Sequence, residues 1–247
     1  MIFSIVFILG ILIGSFLNVC IFRIPLKQEI VYTPSHCMTC GYKLKWYDNI
    51  PIISYLQIGG KCRQCRSKLS IQYPLIELSN GAAYLGLYWR YGLTWQLGMM
   101  CILFSTLLVI SMIDINHQII PNSILTFLMI VSTVYVVFLS KTYISSIVGF
   151  FAVSGLLLLI SIISKGKMGG GDIKLMAVCG FLLGWQNILV SLVLGSILGS
   201  AVGITLIVFK FIKKNQLIPF GPYLSVGIML AAVYGNDLVD WYLGFLI

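Results

Sequence analysis

The chain has 247 residues, 59% of them hydrophobic and 9% charged, with a net charge of +9. Soluble globular domains carry about 25% charged residues, so this composition excludes an ordinary soluble enzyme or binding module and points to a membrane protein. The positive charge reads as a topology signal with attraction to membrane lipids, and no nucleic-acid partner is expected.

In chain order, apolar runs able to cross a hydrocarbon core of ~30 Å fall near residues 3–21, 76–89, 95–113, 124–140, 144–164, 173–183, 187–211 and 222–234. They predict an all-α polytopic membrane protein with about eight transmembrane helices. A barrel would show alternating segments of ~10 residues, and these runs do not alternate. The first run lacks a basic stretch before it and a small-residue cleavage site after it, so it is expected to be a retained helix. Gly184, Trp185 and Gln186 give only a faint turn signal. One long tilted helix is the alternative there.

Residues 23–74 form the one substantial hydrophilic segment, expected to be a small domain between a first helix (residues 1–22) and a membrane domain (residues 75–247). It carries Cys37-Met38-Thr39-Cys40 and Cys62-Arg63-Gln64-Cys65, two CxxC pairs separated by 21 residues. Each CxxC turn can direct two thiolates at one ion, so Cys37, Cys40, Cys62 and Cys65 predict a tetrahedral structural zinc site, closed to a reacting water. Two disulfides are the alternative, opposed by the cytosolic placement argued next. His36 is expected to be a solvated neighbour, and Cys20, Cys101 and Cys179 to pack as small apolar groups. No internal repeat is evident.

Cytoplasmic loops collect Lys and Arg. If the first helix runs outside to inside, eight basic residues lie in the Arg23–Lys68 loop, followed on the same side by Lys165, Lys167, Lys174, Lys210, Lys213 and Lys214. Only Arg90 and Lys141 are left outside. That asymmetry supports the helix count and places the cysteine loop in the cytoplasm.

The chain has seven acidic residues. Glu29 and Asp48 belong to the loop, Asp237 and Asp240 to the outer face, and Glu77 reads as a carboxylate starting the second helix. Asp114 ends the third run, and Asp172 follows Gly169-Gly170-Gly171 at the start of the sixth, both at the cytoplasmic boundary. Ionisable groups at a membrane span are costly unless paired or hydrated, and glycines allow close backbone approach. The alternatives are an interfacial helix end for Asp114 and an N-cap for Asp172. As a pair, the two would face each other across a water and share a proton, because close like charges cannot both ionise.

Gly14-Ser15-Phe16-Leu17-Asn18-Val19 with Arg23-Ile24-Pro25, the two CxxC pairs, Asn49-Ile50-Pro51 with Ser54-Tyr55-Leu56, and Tyr73-Pro74-Leu75-Ile76-Glu77 occur in that order. Asp114 with Ile120-Pro121, Gly169-Gly170-Gly171-Asp172-Ile173-Lys174-Leu175, and Pro219-Phe220-Gly221-Pro222-Tyr223 follow. The ordered set resembles the bacterial type IV prepilin peptidases, membrane aspartyl proteases of the GxGD class. The resemblance implies an inner-membrane endopeptidase with Asp114 and Asp172 as catalytic residues. It would cleave the leader of prepilins or pseudopilins after a glycine at the cytoplasmic face. It also implies N-methylation with S-adenosylmethionine in many members, to which Gly60 and Lys61 correspond, although no Gly-rich dinucleotide fingerprint is present. The competing readings are an ion-coupled transporter, whose acids would lie near the midplane, and a non-enzymatic zinc-bearing scaffold.

Overall fold

The computed structural model describes residues 1–30, 32–166, 168–210 and 218–244. Lys167, Lys213 and Lys214, which contribute to the charge asymmetry, lie outside the described residues. Those described form helices in chain order: α1 (Ile2–Arg23), a short α2 (Ile53–Gln57) within the hydrophilic loop, α3 (Gln72–Tyr91) and α4 (Trp95–His117). Then come α5 (Asn122–Tyr135), prolonged by a π-helical turn to Ser140, α6 (Tyr143–Ile163), α7 (Gly170–Val208) and α8 (Gly221–Gly244). Among the described residues there is no strand, only the isolated antiparallel bridges His36–Lys43 and Lys61–Lys68. Helix is the expected solution for apolar sequence in lipid, where backbone polar groups must be satisfied internally.

Among the described residues, five helices are long and apolar enough to cross a membrane: α1, α4, α5 with its π turn, α6 and α7. The helices α3 and α8, of 20 and 24 residues, have the length but not the apolarity. With 39 residues α7 would run for ~58 Å if straight, yet it is broken at Gly184, whose φ of 81° and ψ of 170° are not helical. The faint turn signal is thus a real break. Gly184 also abuts the Ser145 hydroxyl, leaving no room for a side chain.

The chain forms two compact units, Met1–Ser105 and Thr106–Ile247. In the first, α1 packs on α3 through small residues: a Cβ on Gly10 would stand 2.8 Å from the Gly81 Cα, and one on Gly14 2.7 Å from the Glu77 Cα. Such close approach favours hydrogen bonds between helices in lipid. The buried Asn80 amide donates to the Gly10 carbonyl at 2.7 Å, its oxygen accepts from Ser105 at 2.9 Å, and Ser105 meets the Tyr84 hydroxyl at 3.0 Å. In the second unit α7 packs against α5, α6 and α8, with Gly180 on Gly149 at the α6 crossing. Leu175, Met176, Cys179, Ile188, Leu224 and Ile228 fill its core.

Candidate active site and metal centre

The two CxxC turns are built alike. In the first, the Cys37 N–H donates to Tyr42 O, Gly41 N–H to Cys37 O and Leu44 N–H to Ser35 O; in the second, Cys62 pairs with Ser67, Arg66 with Cys62 and Leu69 with Gly60. Gly41 (φ 71°) and Arg66 (φ 57°) hold the same left-handed position. The sequence does repeat, as C-x-x-C-x-x-K-L at Cys37–Leu44 and Cys62–Leu69, a duplication the sequence reading missed.

The four sulfurs of Cys37, Cys40, Cys62 and Cys65 lie within 4.8 Å of one another. Cys37 Sγ is 3.8 Å from Cys65 Sγ and Cys40 Sγ 3.9 Å from Cys62 Sγ. Four thiolates around a tetrahedral ion with metal–sulfur bonds of ~2.3 Å are ~3.8 Å apart, so this group fits a metal ion. N–H groups of Cys40 and Thr39 pull the Cys37 thiol down to about 6. Cys40, although the Tyr42 N–H favours its thiolate, is pushed up to about 12 by burial and the neighbouring thiols. His36 is exposed beside the Pro34 carbonyl and is not part of the group. Cys20, Cys101 and Cys179 are buried and free.

Asp48, given no role by the sequence, ties the two turns together. Its side chain accepts from Arg63 Nε at 2.8 Å, Lys45 N–H at 3.2 Å and the Tyr42 hydroxyl at 3.3 Å. Burial works against the anion, but the Lys45 N–H and the Arg63 guanidinium hold the Asp48 carboxyl below its usual range. The Arg63 guanidinium also lies 5.2 Å from the Tyr47 ring centre. Glu77 does not start its helix: α3 begins at Gln72, and Glu77, 6% exposed, accepts the Ile52 N–H at 2.7 Å. It anchors the loop to α3. Gly60 (φ 66°) lies under the Tyr55 ring, with 2.9 Å between its would-be Cβ and the hydroxyl, and Lys61 is exposed in the second knuckle. This pair lies in the turn that opens the second CxxC segment.

Asp114 and Asp172 line one cavity of 450 Å³ with Gln118, Ser164, Met168 and Phe220 among its walls. Asp114 lies one turn before the end of α4 and is 6% exposed. Its Oδ2 accepts the Gly221 N–H at 3.0 Å, at the start of α8. Asp172 stands in the first turn of α7 after the N-cap Gly169. Gly171 presses on Ile120, with 2.9 Å between its would-be Cβ and the Ile120 Cβ, and so holds the segment after Asp114 against the start of α7. Both acids therefore line one cavity within a single compact unit. What the residues did not reveal was the Gly221 donor, although a glycine ahead of Pro222 at a helix start was visible as a capping signal.

Comparison with known proteins follows this division. Residues 8–91 match the Bacterial Peptidase A24 N-terminal domain, and residues 101–204 match the Type IV leader peptidase family. A prepilin leader peptidase/N-methyltransferase of Pseudomonas aeruginosa is 31% identical, over 96% of this chain and 92% of the relative. Proteins of the same name from Xanthomonas campestris (35%; 96% and 93% covered) and Bacillus subtilis (32%; 97% and 97%) are similarly close. No solved structure matches the chain. With this identity running through almost its whole length, the chain belongs to the type IV leader peptidase family.

Proposed function

We propose that the protein is a membrane-embedded aspartyl endopeptidase that removes the leader peptide from type IV prepilins or pseudopilins, with Asp114 and Asp172 as its catalytic pair, and that it also methylates the new N-terminal amine. The observation that carries this reading is the placement of both carboxylates on one cavity in a chain of this family. The pair holds one negative charge and one proton. One carboxylate takes a proton from water as the oxygen attacks the peptide carbonyl, and the other acid donates to the carbonyl oxygen. No covalent intermediate is required. A transporter gains no support: both acids sit at helix ends, and the relatives are peptidases by name.

Counting α7 as two spans about Gly184, and adding α3 and α8, gives an eight-helix inner-membrane topology with the pair at the cytoplasmic face. Residues 23–74 then form a cytoplasmic domain holding one structural zinc on Cys37, Cys40, Cys62 and Cys65. Bound there, zinc supplies folding free energy to a loop too small for a core of its own. Methyl transfer would draw on S-adenosylmethionine, with Gly60 and Lys61 as the residues that would serve it.

The test is substitution of each acid by Asn, which preserves capping ability but removes the titratable proton. Asp114→Asn and Asp172→Asn should insert into membranes and leave a pilin-like precursor uncut in a gel-shift assay. The double variant should be no worse than either single, since members of one catalytic unit are not additive. Cleavage within about tenfold of wild type, ~1.4 kcal/mol of transition-state stabilisation, would overturn the pairing.

A further inference from the structure

We infer that the backbone N–H of Gly221 divides the work between the two acids, making Asp114 the carboxylate that deprotonates water and Asp172 the acid that protonates the scissile carbonyl. The inference rests on the catalytic pairing above and assigns its two roles. Asp114 is buried, and the Gly221 N–H is aimed at its Oδ2 at 3.0 Å. A hydrogen bond to an ionised acceptor is about twice as strong as one to a neutral group, so this donor favours the anionic form. The bond is made without loss elsewhere. Gly221 opens α8, and the first four N–H groups of a helix have no acceptor within it.

The residue type at 221 follows from the same contact. A Cβ would stand 2.7 Å from Oδ2 and 3.1 Å from Cγ of Asp114, so any side chain must push the carboxylate off its donor. Asp172 is placed differently. Among the described residues no N–H or side-chain donor reaches its carboxyl group, and its cavity neighbours include the apolar Met168, Ile218 and Phe220. Of the two acids, Asp172 is the one left to carry the shared proton.

The resulting cycle balances. The Asp114 carboxylate takes one proton from water while the water oxygen bonds to the carbonyl carbon. The carbonyl π electrons move to oxygen, which receives the Asp172 proton. On collapse the C–N bond breaks, the proton on Asp114 goes to the departing amine, and a hydroxyl proton returns to Asp172. Both groups regain their starting states.

Infrared spectroscopy of the full chain in lipid nanodiscs reads the assignment without turnover. A carboxyl-¹³C aspartate would be placed at position 114 alone, or at 172 alone, by suppressor-tRNA labelling. At neutral pH the protonated-carboxyl stretch should shift with the label at 172 and not with the label at 114. In Gly221→Ala, part of the shifted band should pass to the label at 114. Gly227→Ala, which lies on α8 as Gly221 does but crowds Ser191 and Gly195 of α7, should leave the assignment as in wild type. A wild-type band that follows the label at 114, follows both labels equally or follows neither overturns the inference. So does a Gly221→Ala spectrum identical to wild type. Cleavage by either Asn variant would sink the pairing itself, whatever the spectra show.

Discussion

Three consecutive glycines precede Asp172, yet the structure needs them unequally. A Cβ on Gly171 would stand 2.9 Å from the Cβ of Ile120, an atom fixed to its backbone that cannot swing aside. A Cβ on Gly169 would stand 3.1 Å from Asp172 Oδ2, whereas one on Gly170 meets nothing within 4 Å. Gly170 has ordinary helical geometry, so Ala there should stabilise the start of α7 by about 0.5–1 kcal/mol through the smaller chain entropy lost on folding. Gly170→Ala is therefore expected to cleave precursor at a rate close to wild type. Gly171→Ala, overpacked by ~1–3 kcal/mol at the contact that sets the spacing of the two acids, should lose at least about tenfold. Initial cleavage rates of the two variants, compared at equal amounts of inserted protein, check the contrast.

At the scale of elements, the paired knuckles show how a loop of this length is held. The Asp48 carboxylate joins them, and because its folded-state value is depressed, the stability it adds is complete above the unfolded value of about 4 and is lost as pH falls through the folded one. Arg63 is 45% exposed, so the contribution is on the order of 1 kcal/mol. Wild type should resist proteolysis in the loop better than Asp48→Asn at neutral pH, and the difference should begin to shrink below about pH 4 and disappear once pH passes below the depressed folded value. A difference that grew on acidification would refute the role given to Asp48. Much of this level was legible in the sequence. The cysteine spacing disclosed the sulfur cluster, and apolar runs disclosed the helices. Asp48 and Glu77 escaped because each acts through partners that the fold delivers: Arg63 from 15 residues away and the Ile52 N–H from 25. Their own neighbours in sequence gave no hint of either.

For the whole molecule, the distribution of basic residues gives an orientation that can be mapped. Single cysteines in a background lacking reactive ones, tested with an impermeant thiol reagent, should place positions 43 and 165 on the cytoplasmic side and position 141 outside. Labelling of 43 and 165 from opposite sides would remove the common face on which the catalytic proposal depends. Apolarity alone could not disclose α3 and α8 as fully as it did α1 or α6. Helix α3 carries polar groups that are satisfied against its neighbours, as Asn80 and Tyr84 are by Ser105 of α4. The Glu77 side chain, buried at the root of the loop, extends this logic to the zinc proposed for the four cysteines. If loss of the ion loosens the knuckles, the Ile52 N–H leaves, and a buried acceptor is stranded at about 1–3 kcal/mol. Ion occupancy and α1–α3 packing then become linked equilibria, each strengthened by the other to the same extent. A chelator working on a hydrophilic loop would thereby weaken two helices that it never touches.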